Sequence, residues 1–169
     1  MKNISKIIAL AIAAVGFSAQ VNAQATASAS ASATIVTPIS ITKTIDLDFG
    51  NVAASGAAGT VVISPAGVRS TTGGVTLPAT AGTVTSASFD VAGTANYTYA
   101  ITLPASVTIA SGANNMTVNA FTSTPSATGL LSGTGAQTVT VGATLNVGAS
   151  QAAGVYTSGT PFDVTVNYN

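Results

Sequence analysis

Side chains alternate between apolar and hydroxyl or small polar types along most of this chain, and no stretch beyond residue 23 repeats every 3.6 residues. A period of two is the side-chain period of a β-strand, whose successive residues face opposite sides. The purest case is Ala25 to Ile35, Ala-Thr-Ala-Ser-Ala-Ser-Ala-Ser-Ala-Thr-Ile, followed by Val36. The same rhythm returns in Ile39, Ile41, Ile45, Leu47 and Phe49, which share one face and stop at Gly50-Asn51. It returns again in Ala87, Phe89 and Val91, and in Tyr97, Tyr99, Ile101 and Leu103. A short Gly-containing link joins these last two runs, which together read as a hairpin with both tyrosines in the core.

Further along, Val107 and Ile109 form one short run, and Met116, Val118 and Ala120 another. Thr122 to Gly135, rich in Ser, Thr, Gly and Pro, reads as a loop. Val139, Val141, Ala143, Leu145 and Val147 make a long strand with Gly142 inside it, which suggests a bulge or a close backbone approach. The chain closes on Phe162, Val164, Val166 and Tyr168 on one face, with Asp163, Thr165 and Asn167 opposite. Gly59 to Ser64 and Val75 to Leu77 add two shorter strands. Eight to ten short strands with regular turn signals predict an all-β, immunoglobulin-like antiparallel β-sandwich.

The first residues are of a different kind. Lys2 and Lys6 precede an apolar run from Ile7 to Phe17, and Val21-Asn22-Ala23 fits a small-residue cleavage site. This is the layout of a secretory signal peptide, and the apolar run is too short to span a bilayer. The expected organisation is a cleaved signal over 1–23, an N-terminal extension over 24–38 and a β-sandwich domain over 39–169. Export through the periplasm to the cell surface or the medium follows, with no membrane span in the mature chain.

Charge narrows the function. Beyond residue 23 there are two cations, Lys43 and Arg69, and four anions, Asp46, Asp48, Asp90 and Asp163, for a net −2. Two scattered cations make no basic patch, so nucleic acid is not an expected partner. The chain has no His, no Cys and no Glu, which removes imidazole bases, thiol chemistry, disulfides and His- or Cys-ligated metals. Ser40-Ile-Thr-Lys43 matches the S-x-x-K string of serine acylases, but that motif needs a helical turn, and on a strand positions three apart point to opposite faces. Asp46 and Asp48, with Asn51 nearby, could offer oxygens to Ca²⁺, yet no dense acidic loop surrounds them; a solvated strand face is the simpler reading. Gly133-Thr134-Gly135 lacks the lysine of a phosphate loop and reads as a turn. No catalytic, cofactor-binding or metal site is expected, and the chain is read as not an enzyme.

Certain motifs carry a resemblance. Leu47-Asp-Phe-Gly50, Ala87-Ser-Phe-Asp-Val-Ala-Gly93, Tyr97-Thr-Tyr-Ala-Ile-Thr-Leu-Pro104, Val141-Gly-Ala-Thr-Leu145, Gly154-Val-Tyr156 and Phe162-Asp-Val-Thr-Val-Asn-Tyr-Asn169 together resemble the bacterial secreted family called domain of unknown function 4402. The ending, with its penultimate Tyr168, is also similar to pilin subunits of the chaperone–usher type, including the spore-coat-protein-U-like archaic ones. Those subunits are immunoglobulin-like sandwiches lacking their last strand, which a periplasmic chaperone and then the extension of the next subunit supply. The resemblance implies a donor strand whose inserting face is Ala25, Ala27, Ala29, Ala31, Ala33 and Ile35, and a chaperone or groove strand formed by Phe162, Val164, Val166 and Tyr168. It implies as partners copies of the chain or related subunits, a periplasmic chaperone and an outer-membrane usher. The chain departs from many pilins in lacking a cysteine pair and in having a donor face made mostly of Ala.

Three readings of Ala25 to Val36 stay open on the residues alone: a donated strand, a strand folded back on its own sheet, and a flexible spacer. The function expected is a non-catalytic exported pilin-like subunit of a surface fibre. The alternative is a self-contained monomeric secreted binding or matrix domain.

Overall fold

The structure, a computed structural model, describes residues 24–169; the expected signal peptide lies outside the described residues. The chain divides into two units, Met1–Thr34 and Ile35–Asn169. Residues 24–34 of the first form no strand and are exposed throughout. All the described strands belong to the second unit: β1 (Ser40–Ile45), β2 (Ala53–Ile63), β3 (Arg69–Thr76), β4 (Ala87–Ala92), β5 (Thr98–Thr102), β6 (Ser106–Ser111), β7 (Asn114–Thr124), β8 (Thr128–Leu130), β9 (Ala136–Val147), β10 (Thr157–Ser158) and β11 (Thr165–Tyr168). The described chain is all-β with every pairing antiparallel, as its period of two predicts.

The long strand β9 organises the sandwich. Val139, Val141, Ala143, Leu145 and Val147 are all buried, while Thr138, Thr140, Thr144 and Asn146 alternate outward. One edge of β9 carries β7. Its other edge is shared: β4 pairs with Ala136–Val141 and β2 with Ala143–Val147. Gly142 stands where the two partners part, and a Cβ there would run into the Ile63 carbonyl oxygen. The close backbone approach read from this glycine is therefore present. The bulge lies instead on the facing strand, where Ala120 (φ 49°) and Phe121 together oppose Ala143.

One sheet runs β1-β4-β9-β7-β6-β10, with β2 and β3 branching from β9; the other runs β11-β5-β8. Two clusters fill the interior. Phe89, Val91, Tyr99, Ile101, Leu131, Val139, Val141, Val164 and Val166 lie between the two sheets. Phe49, Val61, Ile63, Val75, Val118, Ala143, Leu145 and Val147 form the second, and Leu47 and Phe121 pack against both. Each fully buried aliphatic side chain contributes about 1.5–3 kcal/mol, so these two clusters supply the main stabilisation of a chain without disulfides. No buried side-chain polar atom among the described residues lacks a partner.

Several expectations need correction. The runs at Ala87–Val91 and Tyr97–Leu103 do not form a hairpin: β4 and β5 lie in different sheets. Their apolar faces meet across the core instead of lying side by side, and the link crosses between layers with Asn96 at φ 63°. Tyr99 is fully buried, but Tyr97 is 42% exposed and rests its ring edge on Tyr168. Thr122 to Gly135 is not all loop: β7 continues to Thr124 and β8 pairs with β5. Hydroxyl side chains hide the strand there, because Ser123 faces inward and donates its hydroxyl to the Pro125 carbonyl. The run from Ile39 to Phe49 is broken as well. β1 shifts register between Lys43 and Ile45, Ile45 is 47% exposed, and beyond it only Asp48 makes an isolated bridge, to Thr85.

Candidate functional site

The strand order defines the site. In an immunoglobulin-type sandwich four strands, A-B-E-D, face a sheet built from C, F and G. Here β1, β4, β9 and β7 stand in the A-B-E-D order, and β11 and β5 stand as F and C. β11 pairs only with β5, so its outer edge has no partner among the described residues. That edge is the place of strand G. β1 likewise pairs on one side only among the described residues, with β4.

An open cleft of about 1180 Å³ lies between β1 with the segment after it and the chain just ahead of β11, whose own residues do not line it. One rim is β1 and the segment after it, to Ala54; the other is Gln151–Ser158 continuing through Pro161–Val164. The floor is apolar and comes from the large sheet: Phe89 of β4, Val107 and Ile109 of β6, Met116 and Val118 of β7, Leu145 and Val147 of β9. Val107, Ile109 and Met116 are only half-buried, so their outer parts face the cleft.

Both rims are held in place. The Arg69 guanidinium donates from Nη1 to the carbonyls of Phe49 (2.7 Å) and Asn51 (3.0 Å), and Asn51 Nδ2 donates to the Thr80 carbonyl. On the opposite rim, the Tyr156 hydroxyl donates to the Ala152 carbonyl and accepts from Gln151 Nε2, while Thr157–Ser158 pairs with β6. Phe162 closes the bottom of this rim, with its ring 4.9 Å from that of Phe121 and 6.5 Å from that of Phe89.

Among the four residues of the expected groove strand, Val164 belongs both to the cleft lining and to the core between the sheets. Phe162 and Val164 line the cleft. Val166 is buried in the core between the sheets, and the half-buried Tyr168 stands at the end of β11 with its hydroxyl bonded to Thr94 and Thr37. The alternation itself is as read: Asp163, Thr165 and Asn167 are exposed. On the candidate donor face, Ala25, Ala27, Ala29, Ala31 and Ala33 are exposed, and Ile35 is 97% exposed. The floor residues of β6 and β7 were legible as strand positions but not as part of a site. Nothing in a single sequence tells a floor that is covered from one left open.

The polar candidates do not assemble. Lys43 Nζ holds both oxygens of Asp46 at 2.7 and 2.9 Å in an exposed ion pair. Ser40 Oγ donates to the Ala92 carbonyl instead of meeting Lys43. Asp48 accepts the Gly50 N–H as a turn-forming carboxylate. Among the described residues no three acidic side chains gather in a metal-binding group.

A family model described as Domain of unknown function (DUF4402) matches residues 39–168. No curated protein and no solved structure matches the chain.

Proposed function

The chain belongs to the DUF4402 family, whose description names no activity, and from its geometry we propose that it is a non-catalytic exported structural protein, a pilin-like subunit of a surface fibre assembled by donor-strand exchange. The observation that carries this reading is an edge of β11 left unpaired among the described residues, with an apolar-floored cleft that begins just ahead of that strand at Phe162–Val164. A strand laid there gains main-chain hydrogen bonds along a sheet edge and sets alternate side chains onto the floor, which is strand addition. The exposed alternating tract from Ala25 to Ile35 has the right form for the donor. Its alanines bury little area each, so the backbone ladder supplies much of the affinity and Ile35 acts as the larger anchor.

On this reading the partners are further copies or related subunits, with a periplasmic chaperone and an outer-membrane usher serving export, and the destination is the cell surface. The test is assembly by protein beginning at Gln24, compared with a form lacking residues 25–36. Electron microscopy and heat-stable ladders on gels should show multimers for the first and none for the second. Fibres that survive the deletion overturn the proposal.

A second reading, a self-contained monomeric secreted binding or matrix domain, draws on the two filled clusters and the absence of unsatisfied buried polar atoms among the described residues. It expects a stable monomer at all concentrations by light scattering, with no response to an added Ala25–Val36 peptide.

A further inference from the structure

The joint between the N-terminal extension and the sandwich is tied to the far end of the chain. The Tyr168 hydroxyl donates to the Thr37 carbonyl at 2.8 Å and accepts the Thr94 N–H at 2.7 Å. Thr37 N–H donates to Thr94 Oγ1 at 2.9 Å, and that hydroxyl in turn donates to the Thr37 carbonyl at 3.3 Å. Both backbone polar groups of Thr37 are thus engaged, although this residue is exposed and belongs to no strand. The local sequence is shaped for this contact. Gly93 leaves space that a Cβ would take from the Tyr168 hydroxyl. The Tyr97 ring, 5.5 Å away and inclined at 64°, supports the Tyr168 ring edge-on.

Position gives the contact its meaning. Tyr168 is the last residue of β11, whose outer edge has no partner among the described residues. Thr37 lies just before Pro38, two residues short of β1, which forms one rim of the cleft. For a chain to fill its own cleft, its extension must reverse direction in the few residues between Ile35 and β1. A turn centred on Pro38 would use the Thr37 carbonyl, which Tyr168 and Thr94 already hold, so the latched joint opposes that reversal.

We propose that Tyr168 and Thr94 form a latch on Thr37 that prevents a subunit from completing its own sandwich and so reserves its extension for a second copy. This inference rests on the strand-donation reading. It makes Tyr168 a positioning residue: it acts through the joint, not by touching the donated strand.

The test uses protein beginning at Gln24, its Tyr168→Phe and Thr94→Val variants, a form lacking residues 24–34, and a fluorescent peptide of the Ala25–Val36 sequence. Tyr168→Phe keeps the ring and removes only the hydroxyl; Thr94→Val keeps β11 intact. Loss of one or two net hydrogen bonds shifts the latched population by about tenfold or more. Both variants should therefore move from multimers toward monomers by light scattering. Those monomers should refuse the peptide, because their clefts are already filled from within. If the truncated form fails to bind the peptide, strand acceptance itself is wrong. If it binds, but both variants multimerise like the parent, or become monomers that still take up peptide, the latch is overturned and the wider reading stands. An effect of Tyr168→Phe alone, with a lowered melting temperature, also overturns the latch, since it would mean only that β11 had loosened.

Discussion

The two halves of β9 have the same residue pattern and are both buried, but different parts of the molecule cover them. Its first half, with Val139 and Val141 inward, faces Tyr99, Ile101 and Val166 of the second sheet, and these side chains are almost fully enclosed. Its second half, with Leu145 and Val147 inward, forms part of the cleft floor with β6 and β7, where Ile109 and Met116 stay half-exposed. The residue types do not distinguish the halves. What differs is the cover: the second sheet lies over the first half, whereas Phe49 with the partly buried Leu47 and Val52 packs against the second.

Substitutions should separate the two regions. The largest effect is expected at Tyr99, which is fully buried and donates its hydroxyl to Gln137 Oε1 at 2.7 Å. Tyr99→Ala should cost about 3–5 kcal/mol in chemical denaturation, enough to unfold many domains of this size. If it costs no more than a cleft substitution, the contrast between the two regions is lost. Gly142→Ala comes next. Its methyl group has no space beside the Ile63 backbone, and an overpacking loss of about 1–3 kcal/mol is expected from the shift in urea midpoint.

The cleft should respond differently. Ile109→Ser, at a half-exposed floor position, should lower stability by less than either change while reducing uptake of an Ala25–Val36 peptide in a form lacking residues 24–34. Unchanged uptake would remove Ile109 from the accepting surface.

A pH measurement sharpens the picture of the closed half. Burial raises the pKa of the Tyr99 hydroxyl above its ordinary value of 10.0, so the folded state holds that proton more tightly than the unfolded chain does. The stability this group contributes is intact below about pH 10 and is lost as pH rises from there through the raised folded value. Alkaline denaturation should therefore be blunted in Tyr99→Phe, at the expense of about 1 kcal/mol near neutrality for the Gln137 bond. The smallest effect belongs to the exposed Lys43–Asp46 pair: Lys43→Ala should change the melting temperature little, within about 0.5 kcal/mol, and less still in high salt.

Much of the strand content was legible. The alternation in Val139–Val147 and in Phe162–Tyr168 set the correct inward faces, because a residue that faces the core on a strand must recur every second position. The hairpin assigned to Ala87–Leu103 failed for a reason the same rule contains. Period two tells which face of a strand is buried, but not whether the next strand lies beside it or across from it. β8 was hidden because Thr128-Gly-Leu130 is short and its buried residue is Gly129, which has no apolar side chain to mark it. Ile45 kept the right phase in sequence and turned outward in space, because the register shift after Lys43 rotates the chain there. Of the candidate groove residues, Phe162 and Val164 line the cleft, whereas Val166 lies in the core and Tyr168 at the Thr37 joint.

By itself, the sequence determined that the described chain is built of β-strands, which residues of β9 and of the closing run turn inward, and that no His or Cys chemistry is available to it. These follow from local stereochemistry and from composition, and neither depends on distant contacts. Only the tertiary structure decided that β4 and β5 belong to opposite layers, that the outer edge of β11 has no partner among the described residues, and that residues 37 and 168, 131 positions apart in sequence, meet. Those outcomes depend on pairings between residues far apart in the chain, and alternating patterns that are all alike leave many such pairings equally open until the packing of Tyr99, Leu131 and the β9 valines selects one.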